Sequence, residues 1–149
     1  MTFPRAGGCQ CGAIRYTVDA PPVVVFACHC TACQRRSGSA FVVSLIVPDR
    51  DFRLTRGALR SQTRTGDSGG QLTHWFCAGC GTPILGMARG TPPDSYQTVR
   101  VGTLDDVSGI RPTVHTWTRS AQGWVSIPAG VHAFEGNPPV PLTELGEAP

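Results

Sequence analysis

Charged side chains are scarce in this 149-residue sequence, and lysine is absent from it. Charged residues make up 15% of the chain, all 13 basic residues are arginine, and the formal net charge is +3. Surfaces that bind nucleic acid normally carry clustered basic residues, whereas these arginines are scattered, so we expect no nucleic-acid partner. The charge is compatible with a small acidic substrate, because the guanidinium fork suits carboxylates.

Long apolar runs are also missing from the sequence. No stretch approaches the roughly 18 apolar residues that a membrane-spanning helix needs. Residues 1–8 lack the charged start and apolar run of a secretory signal, so we expect a cytoplasmic protein without a membrane partner. Thiols stay reduced in that compartment, and the odd cysteine total, 7, would leave one unpaired in a disulfide framework. Metal binding explains the cysteines better.

Glycine and proline, by contrast, are plentiful. The chain has 18 Gly, 13 Pro and 40% hydrophobic residues, a composition typical of a globular protein with short strands and many turns. We therefore expect a mainly β fold with few short helices. The length suits one core, which predicts a single zinc-binding β domain over residues 1–136 and a proline-containing C-terminal tail over residues 137–149.

Local patterns predict the order of the elements. Alternating or β-branched apolar residues predict strands at 14–18, 23–27, 41–47, 52–54, 59, 72–76, 83–87, 97–102, 114–118 and 125–127. One short helix is predicted over residues 31–36, ending near Gly38, where a left-handed cap is expected. Residues 56–58 predict a hairpin turn between the strands on either side of them.

The cysteines fall into pairs and a trio with the spacing of metal ligands. Cys77 and Cys80 form a C-x-x-C turn with glycines around it, and Cys9 and Cys11 form a C-x-C pair that could complete a four-sulfur zinc site. The remaining three, which we call the cysteine trio, are Cys28, Cys30 and Cys33. Three ligands with an open fourth position are typical of a catalytic zinc, whereas four ligands close a structural site. The division of seven cysteines into four and three is therefore the favoured hypothesis.

Other divisions stay open on spacing alone. The seven cysteines could form one cluster-like site, or His29 could join its neighbouring cysteines as an eighth ligand. An iron–sulfur cluster is less favoured, because the chain lacks four cysteines with ferredoxin spacing. A thioredoxin-like use of Cys77 and Cys80 lacks its βαβ setting. Both groups could also be purely structural staples in a binding module.

Several stretches of the chain resemble the glutathione-dependent formaldehyde-activating family. They are residues 7–12 (GGCQCG), 28–38 (CHCTACQRRSG), 76–81 (FCAGCG) and 101–106 (VGTLDD), with Pro112, His115, Trp117 and Trp124. The resemblance implies two antiparallel sheets that meet like a tent, stapled by a structural zinc on Cys9, Cys11, Cys77 and Cys80. It also implies a catalytic zinc on Cys28, Cys30 and Cys33, and therefore two zinc ions per chain.

The activity implied by the resemblance is that of a carbon–sulfur lyase. Its substrate would be a glutathione or other thiol adduct of an aldehyde, such as S-hydroxymethylglutathione. Arg35 and Arg36 follow the trio most closely in sequence and are predicted to bind the substrate carboxylates. The alternative is that the positive charges of this pair only interact favourably with the dipole at the C-terminal end of the helix. A second copy of the chain is a further candidate partner.

Two alternatives to the enzyme stay open. The first is a non-catalytic zinc-stapled binding module, and the second is a carrier of thiol adducts. The resemblance extends to centromere protein V of animals, a chromosome-associated member, but this chain has no long basic tail that would support such a use.

The four histidines have no assigned catalytic role. His29 is expected to point away from the sulfurs of its neighbours, because side chains alternate in an extended segment, and a proton-shuttle role for it is the minor alternative. His115 and Trp117 are predicted to share one strand face as core or pocket wall. We expect His74 and His132 to be surface or structural residues.

Overall fold

Strands dominate the parts of the chain that the computed structural model describes, which are residues 2–66, 70–86 and 96–145. Within these ranges there are eleven strands and one α-helix, α1. Their bounds are β1 Arg5–Gly8, β2 Arg15–Val18, β3 Val24–Cys28, α1 Thr31–Ser37, β4 Val42–Pro48, β5 Phe52–Arg56, β6 Leu59–Thr65, β7 Gln71–Cys77, β8 Pro83–Gly86, β9 Tyr96–Arg100, β10 Val114–Thr116 and β11 His132–Phe134. The prediction of a mainly β fold is confirmed. None of the described helices has the length and apolar character to cross a membrane.

The strands form two sheets. The smaller sheet is antiparallel, with the order β1-β2-β5, and the larger sheet has eight strands in the order β11-β10-β3-β4-β9-β8-β7-β6. Neighbours in the larger sheet are antiparallel except at one end, where β10 runs parallel to both β3 and β11. The predicted pair of sheets is therefore present, and the larger one is mixed.

The main core lies where the two sheets pack together. Tyr16 and Val18 of the smaller sheet join Leu45, Val47 and Val99 of the larger sheet in one apolar cluster, and all five are fully buried. Alternation along β4 and β9 turns the intervening residues to the opposite face, because successive side chains of a strand point to opposite sides. That opposite face carries a smaller apolar cluster, formed by Val24, Phe26, Ile46 and Val114.

The helix and its cap agree with the sequence prediction. Helix α1 covers Thr31–Ser37, and Gly38 closes it with φ 67, the left-handed conformation in which glycine is favoured. The Gly38 N–H donates to the Gln34 carbonyl at 2.9 Å, which satisfies a carbonyl that the helix end would leave unpaired.

The predicted hairpin at residues 56–58 is wrong. β5 pairs with β2 in the smaller sheet, whereas β6 pairs with β7 in the larger one, so this turn carries the chain from one sheet to the other. Gly57 takes φ 80 there, and a Cβ on it would lie 2.3 Å from the Ala13 carbonyl oxygen. Strand partners are set by contacts far apart in sequence, which turn residues alone do not reveal.

The last two predicted strands also need correction. β10 ends at Thr116 because Trp117 takes φ 60, so His115 and Trp117 do not share a strand face. Residues 125–127 form no strand, and β11 at His132–Phe134 takes the edge beside β10 instead.

The ends of two other predictions reach residues that the structure does not describe. Met87, the last residue of the predicted strand 83–87, lies outside the described residues, as do residues 146–149 of the predicted tail. Within the described part of that tail, Leu142 and Leu145 pack against the smaller apolar cluster. The domain boundary at residue 136 stays a prediction.

The turn at Gly57 generates a first prediction. We expect Gly57→Ala to lower the free energy of unfolding by about 1–2 kcal/mol or more, because alanine is disfavoured at positive φ and its Cβ would collide with backbone. Urea denaturation followed by circular dichroism measures this change. Gly102→Ala is the matched control, since a Cβ at Gly102 meets no atom within 4 Å. Equal midpoints for the two variants would contradict the prediction.

Candidate metal centres

Four of the cysteines meet where the two sheets approach each other. Cys9 and Cys11 follow β1, and Cys77 and Cys80 lie at the end of β7 and in the turn after it. Their four sulfurs lie within 4.8 Å of one another, with 3.4 Å between the Sγ atoms of Cys9 and Cys11 and 3.7 Å between those of Cys11 and Cys77. We call this group the four-cysteine cluster.

Hydrogen bonds support the sulfurs of the four-cysteine cluster. The Ile14 N–H donates to the Cys9 Sγ at 3.2 Å, and the Thr82 hydroxyl lies 3.1 Å from the Cys80 Sγ. The contacts with Thr82, first its side chain and then its backbone, lower the pKa of Cys80 to about 5. Such contacts favour thiolates, the form that binds metal.

The cysteine trio forms a second group at the junction of β3 and α1. Cys28 ends β3, Cys30 is the N-cap of α1, and Cys33 lies in the first turn of the helix. The three sulfurs lie within 4.8 Å of one another. The Cys33 N–H donates to the Cys30 Sγ at 3.3 Å, so the sulfur of Cys30 also caps the helix. The division into four and three is the grouping that the structure shows.

The sulfur separations of the four-cysteine cluster fit a tetrahedral metal ion, and the sulfurs of the trio are close enough to share one. Bonds of about 2.3 Å from zinc to sulfur place tetrahedral sulfurs about 3.8 Å apart, close to the separations in the four-cysteine cluster. These separations are far longer than the roughly 2.05 Å of a disulfide, and all seven cysteines are free. Two groups of side chains that could hold metal ions are therefore present, as the spacing predicted.

The pKa shifts of the three trio cysteines are also compatible with a bound cation. Hydrogen bonds from the side chains of Cys28 and Cys33 lower the pKa of Cys30 to about 2. Hydrogen bonds with Cys28 and Cys30 raise the pKa of Cys33, and the hydrogen bond with Cys30 raises the pKa of Cys28. A divalent cation would stabilise all three as thiolates, because metal coordination deprotonates thiols.

His29 lies between two cysteines of the trio but takes no part in their cluster. Its ring is fully buried, and its Nε2 lies 3.0 Å from the Nδ1 of His115, so it does not fit the role of an eighth ligand. Its backbone carbonyl accepts hydrogen bonds from the Gln34 Nε2 at 2.7 Å and from the Ser120 hydroxyl at 3.0 Å. These hydrogen bonds hold the backbone of His29 in place between Cys28 and Cys30.

The two arginines predicted to bind substrate lie in the last turn of α1. Arg35 is exposed and Arg36 is half-buried, and both line an open groove that Gln62 and Arg64 of β6 complete on the other side. Burial lowers the pKa of Arg36, the charge of Arg64 adds to this, and the electrostatic effect of Cys33 and Cys30 opposes it. Their role in substrate binding stays a prediction.

Two polar residues near the trio were not among the predicted site residues. Arg100 of β9 is buried, and burial lowers its pKa while the charge of Cys33 raises it. Its Nη1 donates to the Ser44 hydroxyl at 2.8 Å. The sequence contains one signal for Arg100, which alternates with valines in a predicted strand. Its side chain therefore points to the face opposite those valines, and that face carries the trio.

His74 is the second residue, and of its two expected roles, surface or structural, burial removes the surface one. Its side chain is 5% exposed, and neither ring nitrogen has a hydrogen-bond partner among the described residues. Burial, followed by the charges of Arg36, Arg100 and Arg64, lowers its pKa to about 4. His74 lines a cleft of ≈ 240 Å³ together with Arg36, Gln62, Trp75, Phe76, Gly81 and Pro83.

The fold and the two cysteine groups define the class, a mainly β protein whose thiols could hold two metal ions. Residues 4–120 match the family described as glutathione-dependent formaldehyde-activating enzyme, and the chain belongs to this family. The resemblance predicted from the cysteine motifs is thereby confirmed. The chain is also similar to a structural genomics crystal structure of a Rhodobacter sphaeroides protein, with 28% identity and a TM-score of 0.50 over 72% of this chain and 91% of that one.

The two groups generate a prediction about metal content. We expect the purified protein to carry about two divalent metal ions per chain, and Cys30→Ser and Cys77→Ser each to lose about one. Elemental analysis by mass spectrometry gives the content. Cys77→Ser should also lower the melting temperature more than Cys30→Ser, because the four-cysteine cluster joins distant segments. Retention of both ions in the two variants would contradict the assignment.

The low pKa of His74 generates a prediction about acid stability. Between about pH 6.5 and pH 4 the unfolded chain binds a proton that folded His74 does not, so stability falls as pH falls through this window. We expect His74→Phe to gain on the order of 1 kcal/mol more relative to the wild type at pH 5 than at pH 7.5. Urea denaturation at both pH values measures this, and an equal difference at both would contradict it.

Proposed function

We propose that the protein is a zinc-dependent carbon–sulfur lyase that acts on glutathione, or other thiol, adducts of an aldehyde such as S-hydroxymethylglutathione. The family match supports an enzyme acting on formaldehyde and glutathione. One structural observation carries the proposal. The cysteine trio brings three sulfurs together, and no fourth Cys, His, Asp or Glu among the described residues joins the group. Three protein ligands leave one position for a reacting group.

In this proposal the two groups of cysteines have different roles. The four-cysteine cluster supplies a full set of ligands and holds a structural zinc that ties the sheets together. The trio holds the catalytic zinc, which when bound would supply a Lewis-acid position for the thiol sulfur or the aldehyde oxygen. A reducing compartment such as the cytoplasm suits seven free thiols.

The reaction is the reversible addition of a thiol to an aldehyde. In the forward direction the thiolate sulfur attacks the carbonyl carbon, a carbon–sulfur bond forms, and the oxygen takes up a proton to become a hydroxyl. Cleavage reverses these steps and returns thiol and aldehyde, so no oxidant or reductant is needed. Arg35 and Arg36, on the helix that carries Cys33, would hold the carboxylates of the thiol near the trio.

Exchange measurements by NMR test the proposal. In a mixture of glutathione and formaldehyde, we expect the wild type to accelerate exchange between the free thiol and the adduct, and Cys30→Ser to slow the catalysed part by on the order of 100-fold. Arg50→Gln is the control, since Arg50 is exposed. A wild-type rate equal to the uncatalysed rate would refute the formaldehyde reaction. Adduct binding without acceleration would favour a carrier, and absence of both would favour a binding module.

A further inference from the structure

Some arginines of the described residues form ion pairs with carboxylates and others do not. Three arginines of the smaller sheet have carboxylate partners, at 3.7 Å and 3.3 Å in two of the pairs. The three pairs are Arg5 with Asp106, Arg15 with Asp105, and Arg53 with Asp19. These arginines therefore have a structural role that accounts for their charge.

The arginines around the cysteine trio have no such partners. Within the described ranges, no acidic side chain pairs with Arg36, Arg64 or Arg100, which lie close enough for their charges to affect one another or His74. The Nε of Arg64 is buried without a hydrogen-bond partner, and Arg100 is bonded to the hydroxyl of Ser44. Three guanidinium groups gathered without carboxylates repel one another, and an anionic ligand would relieve this repulsion.

His74 adds an unpartnered donor to the same place. The ring is more than nine-tenths buried, both of its nitrogens lack partners in the described part of the chain, and it lines the cleft together with Arg36 and Gln62. A buried polar group without a partner destabilises a fold, so its presence calls for an explanation. Burial, followed by the charges of Arg36, Arg100 and Arg64, lowers the pKa of the ring and favours its neutral form, and a neutral imidazole still offers one N–H donor.

The cleft is adjacent to the trio through Arg36. This residue follows Cys33 in α1 and lines both the cleft beside His74 and the groove beside Arg64. Cys33 and Cys30 also act electrostatically on the guanidinium of Arg36, so this group lies within electrostatic range of the trio. A ligand with a sulfur at the trio can therefore extend past Arg36 towards His74.

We propose that Arg36, Arg64 and His74 form a subsite for a carboxylate of the thiol adduct whose sulfur lies at the cysteine trio. The subsite rests on the proposed function and names the substrate class, thiol adducts that carry a carboxylate. Arg36 and Arg64 neutralise the carboxylate and His74 donates a hydrogen bond to it. Arg100 lies behind them and adds positive potential without touching the ligand. Simple thiol adducts without a carboxylate are poor substrates.

Binding of S-methylglutathione to the full chain tests the subsite without relying on catalysis. Isothermal titration calorimetry compares this acid with its dimethyl ester, for the wild type, Arg36→Gln, His74→Phe and the exposed control Arg50→Gln. We expect the wild type and the control to bind the acid at least about tenfold more tightly than the ester, because charged hydrogen bonds are lost with the ester. Arg36→Gln and His74→Phe should each remove most of this difference.

A second measurement separates recognition from folding. Because the side chain of His74 makes no hydrogen bond to the residues that the structure describes, His74→Phe should keep or raise the melting temperature at pH 7.5 while it weakens binding of the acid. A purely structural histidine would show the opposite pattern. Variants that bind the acid as tightly as the wild type, or that weaken acid and ester equally, would overturn the subsite.

The outcome for the subsite can be distinguished from the outcome for the enzyme. If the wild type accelerates adduct exchange but the variants still prefer the acid, only the subsite fails. If the acid preference depends on Arg36 and His74 but exchange is not accelerated, the carboxylate site stands and the lyase reaction fails. If the wild type binds neither the acid nor the ester, the subsite is overturned whatever the exchange rate.

Discussion

The convergence of four sulfurs from the two sheets is the constraint on which the arrangement of the site depends. Cys11 and Cys77 are 66 residues apart, and their sulfurs lie 3.7 Å from each other. One belongs to the segment after β1 in the smaller sheet, and the other ends β7 in the larger sheet. A metal ion on these sulfurs would close a long loop, and the cysteine trio lies inside that loop. The position of β7, and of His74 on it, is therefore tied to the same contact.

The two faces of the larger sheet have different roles: one packs in the main core, and the other carries the trio and α1. On one face, Leu45, Val47 and Val99 pack against the smaller sheet and supply apolar burial, which is the main stabilising contribution in a fold of this size. Along the same strands, alternation turns Ser44 and Arg100 to the other face, where the trio and α1 lie. One pattern of period two thus builds the core between the sheets and, on the other face, a site in which buried polar groups lie beside the smaller apolar cluster. A register shift of one residue would exchange the two sets of side chains.

The sequence predicted the parts of the site that depend on local geometry. The ligand spacing of Cys28, Cys30 and Cys33 and the left-handed cap at Gly38 act within one turn of chain, so residues and intervals suffice to recognise them. The burial of His74 and Arg100 could not be predicted in this way, because it depends on which strands lie side by side. The turn at Gly57 failed for the same reason: its residues fit a hairpin, but the partners of β5 and β6 lie in different sheets.

The polar groups around the trio also bear on the choice between an enzyme and a structural module. A module needs only the four-cysteine cluster, which accounts for four of the seven cysteines and for the connection between the sheets. It gives no reason to bury Arg100 and an unpartnered His74 on the face that carries three further cysteines, since both are costly in a structure that only has to be stable. Buried polar groups without a structural role are expected where a bound ligand supplies their hydrogen-bond or charge partners. Three thiolates on a divalent cation would carry one net negative charge, less than the positive charge of three guanidinium groups, and this difference favours a ligand that brings negative charge.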